Sequence, residues 1–231
     1  GSLSAFLGMT PMSETDANPV LVEVTRGGAV ESSHRGAGVV VDPAGEVVAA
    51  WGDIGRPVYP RSAVKPLQAL PLIETGAAER FSVADAEIAL AVSSHSGGPE
   101  HVALVAAWLE RMGLGAGDLE CGPHLPMDED AAAELDRAGV PPSPLHNNCS
   151  GKHAGFLATA LHLDEETSGY VKPGHPTQLR MVEVLSEMGG VNLDSAPQGT
   201  DGCGIPVIAM PLRAMALGMA RLANPDGLAP A

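Results

Sequence analysis

The segment Arg61-Ser62-Ala63-Val64-Lys65-Pro66 marks the point at which a strand-forming sequence changes into a helix-forming one. Before it, the hydrophobic pattern predicts strands over residues 20–25, 39–41 and 46–51, with a turn at residues 42–45. After it, helices are predicted over residues 62–74, 85–92, 99–112, 128–138, 152–163 and 176–188, with a last one beyond Ile205. Ser82-Val83-Ala84-Asp85 is typical of a capped helix start. An antiparallel sheet flanked by helices, in the α+β class of layered folds, is therefore expected.

The length of 231 residues fits one domain. Gly1-Ser2 has the character of a tag scar, and we expect residues 1–17 to form a disordered N-terminus outside the fold. Residues 18–231 are then a single domain. The sequence offers no strand near its end to complete the sheet, so we expect the domain to be incomplete at its C-terminus.

Composition excludes several classes of function. The net charge of −15 argues against binding to nucleic acid or to anionic membranes, because both need clustered Lys and Arg. The apolar runs fall short of the roughly 18 residues that a membrane span requires. Three cysteines form a poor disulfide framework and suit a reducing compartment, so we expect a cytoplasmic protein.

Lysine is scarce, with three residues against ten arginines, so each lysine merits individual attention. Ser62 and Lys65 are separated by three positions and share one face of a helix. A serine hydroxyl needs a base to act as a nucleophile, and a buried lysine can serve as that base when its pKa falls. The alternative is a capped helix with an exposed lysine.

Three further segments carry polar groups at sites that suit chemistry. Ser93-Ser94-His95-Ser96-Gly97-Gly98 can bind a polar substrate or supply a second serine, or it is only a helix C-cap. His146-Asn147-Asn148-Cys149-Ser150-Gly151-Lys152-His153 opens a helix. In it, Cys149 and His153 could bind zinc, Cys149 could be a nucleophile, or the cysteine is simply buried beside a polar turn. Asp201-Gly202-Cys203-Gly204-Ile205-Pro206 offers a second thiolate or is a tight turn.

These segments, together with Cys121-Gly122-Pro123-His124 and in this order, resemble the L-asparaginases of the Rhizobium etli type. On its own, the Cys121 segment reads as a turn with an inert cysteine. The resemblance extends from about residue 18 to the end of the chain. It implies a fold similar to serine β-lactamases and glutaminases, hydrolysis of L-asparagine to L-aspartate and ammonia, and a homodimer.

The resemblance also implies roles for individual residues. Ser62 and Lys65 match the family's serine–lysine pair, and Ser94 matches a second catalytic serine. Zinc would bind to Cys149, Lys152 and Cys203, with an amine as an unusual ligand. The candidate substrate-binding residues come from the same motifs: Arg61, His95, Asn148, His153, Asp201 and Gly202. The family has a second catalytic lysine in a C-terminal third that this chain does not contain.

Two other functions remain open on the sequence. The first is another serine amidohydrolase on the same fold, such as a glutaminase or an amidase acting on β-lactams or peptides. The second is a catalytically incomplete zinc-binding protein.

Overall fold

The computed structural model describes residues 18–226 and residue 228. The tag scar and disordered N-terminus expected over residues 1–17 lie outside these residues. Strands and helices both occur and the strands pair antiparallel, which confirms the α+β class. Within residues 18–226, no helix is long and apolar enough to cross a membrane.

The strands form four separate two-stranded ribbons in the described part of the chain, rather than the expected single sheet. All four ribbons are antiparallel: β1 pairs with β2, β3 with β4, β5 with β8 and β6 with β7. The strands are β1 (Val20–Arg26), β2 (Ala29–Arg35), β3 (Gly38–Val41), β4 (Val47–Trp51), β5 (Pro57–Val58), β6 (Gln198–Thr200), β7 (Pro206–Ile208) and β8 (Met210–Pro211).

Strand β2 was not predicted from the sequence. It folds back onto β1 through Gly27-Gly28, where both glycines have positive φ angles of 56° and 85°. A two-residue hairpin turn requires such angles, and glycine adopts them without steric cost. The glycine pair was therefore the signal for this hairpin. The strand itself is fully exposed and carries several polar residues, which hid it from a reading of hydrophobic alternation.

The helices predicted between residues 85 and 188 occur within a few residues of their expected bounds, whereas a short helix at residues 77–80 was not predicted. The helices are α1 (Lys65–Gln68), α2 (Leu70–Glu74), α3 (Ala77–Arg80), α4 (Asp85–Val92), α5 (Pro99–Arg111), α6 (Glu129–Ala138), α7 (Ser150–His162), α8 (Pro176–Gly189) and α9 (Leu212–Ala223). The last of these begins after strands β7 and β8, rather than directly after Ile205.

The single helix expected over residues 62–74 is broken into three pieces. A 3₁₀ turn at Arg61–Val64 leads into α1, and α2 follows after a break at Ala69. Pro66 and Pro71 cause the breaks, because proline has no N–H to donate and its ring clashes with the preceding turn. Each proline lies in the first turn of its own short helix, where it is tolerated. Lys65 thereby becomes the first residue of α1.

The start of α4 differs from the expected serine cap. Ser82 has a φ of +49° and lies outside the helix. The side chain of Glu87 instead accepts a hydrogen bond from the backbone N–H of Ala84 at 2.9 Å. The same buried carboxylate pairs with Arg111 at 2.6 Å, which ties the start of α4 to the end of α5.

Helix α7 is the central element of the main core. Residues 150–160 are all buried, on every face of the helix. Small residues allow this, and Gly151 faces the end of α4 so closely that a Cβ would lie 2.6 Å from the carbonyl oxygen of Leu90. Because only 3% of residues are aromatic, the core is filled by close packing of backbone and small side chains rather than by large rings.

A second apolar cluster lies between α1, α8 and α9. It is formed by Val64, Leu67, Leu185, Met188, Leu193, Ile208, Met210 and Ala214. The two clusters hold α1 from either side, because its neighbour α4 belongs to the first cluster and its neighbours α8 and α9 to the second. This packing fixes the position of Lys65.

We predict that Gly151→Ala lowers the free energy of unfolding by about 1–3 kcal/mol, because the added methyl would overlap the Leu90 carbonyl. Chemical denaturation measures the change. Gly174→Ala is the matched control, since a Cβ there meets nothing within 4 Å. Equal stability of the two variants would contradict the close contact between α4 and α7.

Candidate active site

The amine of Lys65 is the centre of the site. Lys65 is only 1% exposed. Its Nζ lies 2.6 Å from the carbonyl oxygen of Ser93, 2.9 Å from Ser94 Oγ and 3.3 Å from the carbonyl oxygen of Asn148. Ser93 and Ser94 directly follow α4, and Asn148 lies two residues before the start of α7. Three separated segments therefore meet at one amine.

The partners of Lys65 determine what its amine can do. A carbonyl oxygen only accepts hydrogen bonds, so the carbonyls of Ser93 and Asn148 take two hydrogens of the amine. A neutral amine has no third hydrogen, and its lone pair then faces the hydroxyl of Ser94. Burial lowers the pKa of Lys65, while interactions with Cys149 oppose that shift. This geometry suits transfer of a proton from Ser94 to Lys65.

The serine expected beside Lys65 was Ser62, and the structure brings Ser94 there instead. Ser62 is exposed in the 3₁₀ turn, and no hydrogen bond joins its hydroxyl to Lys65 in the described structure. The 3₁₀ turn, in which the N–H of Lys65 donates to the carbonyl of Ser62, keeps the two residues on one side of the chain, but the Ser62 hydroxyl stays at the surface while the Lys65 amine is buried. Ser94 is also exposed, so its hydroxyl is open to a substrate.

Arg61, next to Ser62, adopts an unusual backbone conformation with a φ of +52°. Its Nε forms an ion pair with Asp201 Oδ1 at 2.7 Å, and the same oxygen accepts a hydrogen bond from the N–H of Gly202 at 2.8 Å. A non-glycine residue in the left-handed region is strained and is held there by its surroundings. The ion pair brings the turn that carries Ser62 against the loop that carries Cys203.

Cys149, Lys152 and Cys203 lie near one another, and all three are buried. Nζ of Lys152 lies 3.4 Å from Sγ of Cys203. A hydrogen bond from Cys203 lowers the pKa of Cys149 to about 6, with help from Lys152 and Lys65, although burial acts against the shift. The same hydrogen bond and burial raise the pKa of Cys203. We therefore expect Cys149 to be a thiolate that accepts a hydrogen bond from the thiol of Cys203, with the amines of Lys65 and Lys152 nearby.

The donor set limits which metal site can form here. Within residues 18–226 and 228, no group of three or more His, Cys, Asp and Glu side chains is placed to hold a metal ion. A metal at this place would therefore need Lys152 as a ligand beside the two cysteines. The third cysteine, Cys121, stays apart: its thiol donates to the carbonyl of Pro144, and burial raises its pKa to about 12.

Two of the six candidate substrate-binding residues, His95 and His153, are buried. The Nδ1 of His95 accepts a hydrogen bond from the N–H of Gly97, so its Nε2 donates to Ser150 Oγ at 2.8 Å. Burial lowers the pKa of His95 to about 4, which keeps it neutral. His153 is 0% exposed, and neither imidazole reaches the surface. Arg61, Asn148, Asp201 and Gly202 remain accessible beside Lys65 and Cys203.

Reasoning from the sequence missed three residues that organise the site. The side chain of Asn147 donates to the carbonyls of Cys121 and Gly122 and accepts the N–H of Cys149, which fixes the start of α7. The hydroxyl of Tyr170 forms a hydrogen bond with Nδ1 of His153, and the N–H of Glu120 donates to the same hydroxyl. Asn147 lies in the polar segment that opens α7, so the sequence could have indicated it as a site residue. Tyr170 gave no local signal, apart from being one of only two tyrosines in the chain.

Comparison with known proteins identifies the family. The model of the family described as L-asparaginase II matches residues 22–230, which is nearly the whole chain and includes every residue of the site. No individual curated protein matched. Membership supports an amidohydrolase of the asparaginase type that acts on a small molecule. The chain belongs to the L-asparaginase II family.

Proposed function

We propose that the protein is an L-asparaginase of the Rhizobium etli type, which hydrolyses L-asparagine to L-aspartate and ammonia. Family membership supports the class of reaction. The observation that carries the proposal is a buried amine beneath an exposed serine, with Nζ of Lys65 2.9 Å from Ser94 Oγ. The serine β-lactamase-like fold and the homodimer expected from the resemblance belong to the same proposal.

The chemistry follows from that pair. Lys65 takes the hydroxyl proton as the serine oxygen attacks the side-chain amide carbon of asparagine. The protonated amine then returns the proton to the leaving nitrogen, and ammonia departs from an acyl-enzyme. Water, deprotonated by Lys65, attacks the ester and releases aspartate with the free serine. The fixed carbonyls of Ser93 and Asn148 stabilise the charged form of Lys65 in each cycle.

The geometry favours Ser94 as the serine that Lys65 activates. The sequence pattern instead assigned that role to Ser62, three residues before the lysine. Ser62 lies next to Arg61. The side chain of Arg61 is 63% exposed, so its guanidinium can face a substrate carboxylate. We therefore retain both serines as participants, and their variants distinguish the nucleophile from its helper.

We also propose a zinc ion held by Cys149, Lys152 and Cys203. Two thiolates and a neutral amine leave one open position in a tetrahedral site, and zinc binding itself drives loss of the lysine proton. The contact between Lys152 and Cys203 and the depressed pKa of Cys149 support this donor set. When bound, zinc would supply a positive charge that orients the charged ends of the substrate.

We predict that Ser94→Ala and Lys65→Met each lower kcat/KM for asparagine at least a hundredfold, which is the order of a lost general base. Ammonia release measures the change. Ser96→Ala is the control, because that hydroxyl lies in the same loop but faces His101. Ser62→Ala is compared under the same conditions.

The mass of the quenched enzyme then identifies the nucleophile. If Ser94→Ala still accumulates an acyl-enzyme and Ser62→Ala does not, Ser62 is the nucleophile and Ser94 its helper. Full turnover in both serine variants would overturn the serine mechanism as a whole.

We predict that asparagine is preferred to glutamine and to a chromogenic β-lactam. One additional methylene in a fitted site changes kcat/KM by roughly 10–200-fold. Relative kcat/KM values for the three compounds measure the preference. A larger value for glutamine or for the β-lactam would identify a different amidohydrolase on this scaffold.

We predict that the purified protein contains stoichiometric zinc and that Cys149→Ala loses it, since a buried thiolate ligand cannot be replaced by a methyl group. Elemental analysis measures the metal. Cys121→Ala is the matched control, because it removes a buried cysteine whose thiol faces Pro144. Equal zinc in the wild-type protein and Cys149→Ala would exclude the proposed ligands.

A further inference from the structure

Tyr170 is fixed in the core by contacts at both ends. Its backbone carbonyl accepts a hydrogen bond from Gln178 at 2.8 Å, and the N–H of Glu120 donates to its hydroxyl at 2.9 Å. The side chain of Glu120 also accepts the N–H of Gly169, the residue before Tyr170, at 2.6 Å. Tyr170 is 0% exposed. Its hydroxyl therefore has one position and one orientation.

The two hydrogen bonds of this hydroxyl determine the tautomer of His153. Tyr170 Oη accepts from Glu120, so its own hydrogen must go to its other partner, His153 Nδ1, at 2.7 Å. The alternative, in which Nδ1 donates, would leave the buried tyrosine hydrogen without an acceptor among the described residues. A neutral imidazole with an accepting Nδ1 carries its hydrogen on Nε2.

The Nε2–H of His153 then points at the sulfur centre. Among the described residues, Nε2 has no hydrogen-bond partner, although it is completely buried. An N–H left unsatisfied in the core costs about 1–3 kcal/mol. An interaction with His153 lowers the pKa of Cys203, which indicates that the imidazole lies beside that sulfur. The imidazole edge therefore lies against the thiol that also contacts Lys152.

We infer that Tyr170 is a positioning residue, which holds His153 in its Nε2–H tautomer so that His153 donates to Cys203 and keeps that sulfur a ligand for a divalent cation. The inference rests on the proposed zinc site. In this arrangement, His153 donates a hydrogen bond to a metal ligand and does not contact the substrate. Tyr170 also gains a role, although it shares no motif with the metal ligands.

Two pairs of variants test this arrangement in the zinc-loaded protein. Tyr170→Phe keeps the ring and removes the hydroxyl. His153→Gln places an amide N–H near the position of Nε2, whereas His153→Asn reaches only the position of Nδ1. We expect zinc affinity, measured by competition with a chromophoric chelator, to fall about 10–100-fold in Tyr170→Phe and His153→Asn. His153→Gln should stay near the wild-type value.

Nitrogen NMR of histidine-labelled protein reads the tautomer directly, with His153→Gln used to assign the signal. The wild-type spectrum should show the Nε2–H form, and Tyr170→Phe should lose it. An Nδ1–H form in the wild type, or equal zinc affinity in His153→Gln and His153→Asn, would overturn the inference. Wild-type protein that binds no zinc but shows the Nε2–H form would refute the zinc site and the role of Tyr170 in it, while leaving the hydrogen-bond chain intact.

Discussion

The burial of two lysine amines in one centre is the constraint on which the site depends. Moving an ammonium group out of water costs several kcal/mol unless the protein compensates for the lost hydration. The four ion pairs of the described residues all involve arginine, so neither Lys65 nor Lys152 has a carboxylate partner there. Backbone carbonyls and cysteine sulfurs take that role, and the two amines also repel each other, which helps to lower the pKa of Lys65.

Helix α7 determines how these groups are arranged relative to one another. It carries Lys152 and His153, and it begins directly after Asn148 and Cys149. Its close contact with α4 at Gly151 brings the residues after α4, including Ser94, to the same place. The serine–lysine pair and the sulfur centre therefore share one rigid support. A change in the spacing of these two helices would disturb both.

The sequence predicted most of the elements, because helical periodicity and turn residues are local signals. It also brought Cys149, Lys152 and Cys203 together, although only through a family resemblance. Which serine faces Lys65 could not be predicted, because Ser94 reaches the amine through the packing of α4 against α1, which is a long-range contact. The same holds for Tyr170, which reaches the site through contacts with residues about fifty positions away. Long-range packing of this kind leaves no periodic trace in a single sequence.

The way in which Lys65 is held has a consequence for ionic strength. Its acceptors are backbone dipoles and a hydroxyl, and the amine itself is buried, so dissolved ions cannot screen these contacts as they screen exposed charge pairs. The surface is different, because a net charge of −15 generates a long-range field that salt suppresses. Salt should therefore change how charged molecules approach this protein, while the proton-transfer pair itself keeps its geometry and strength.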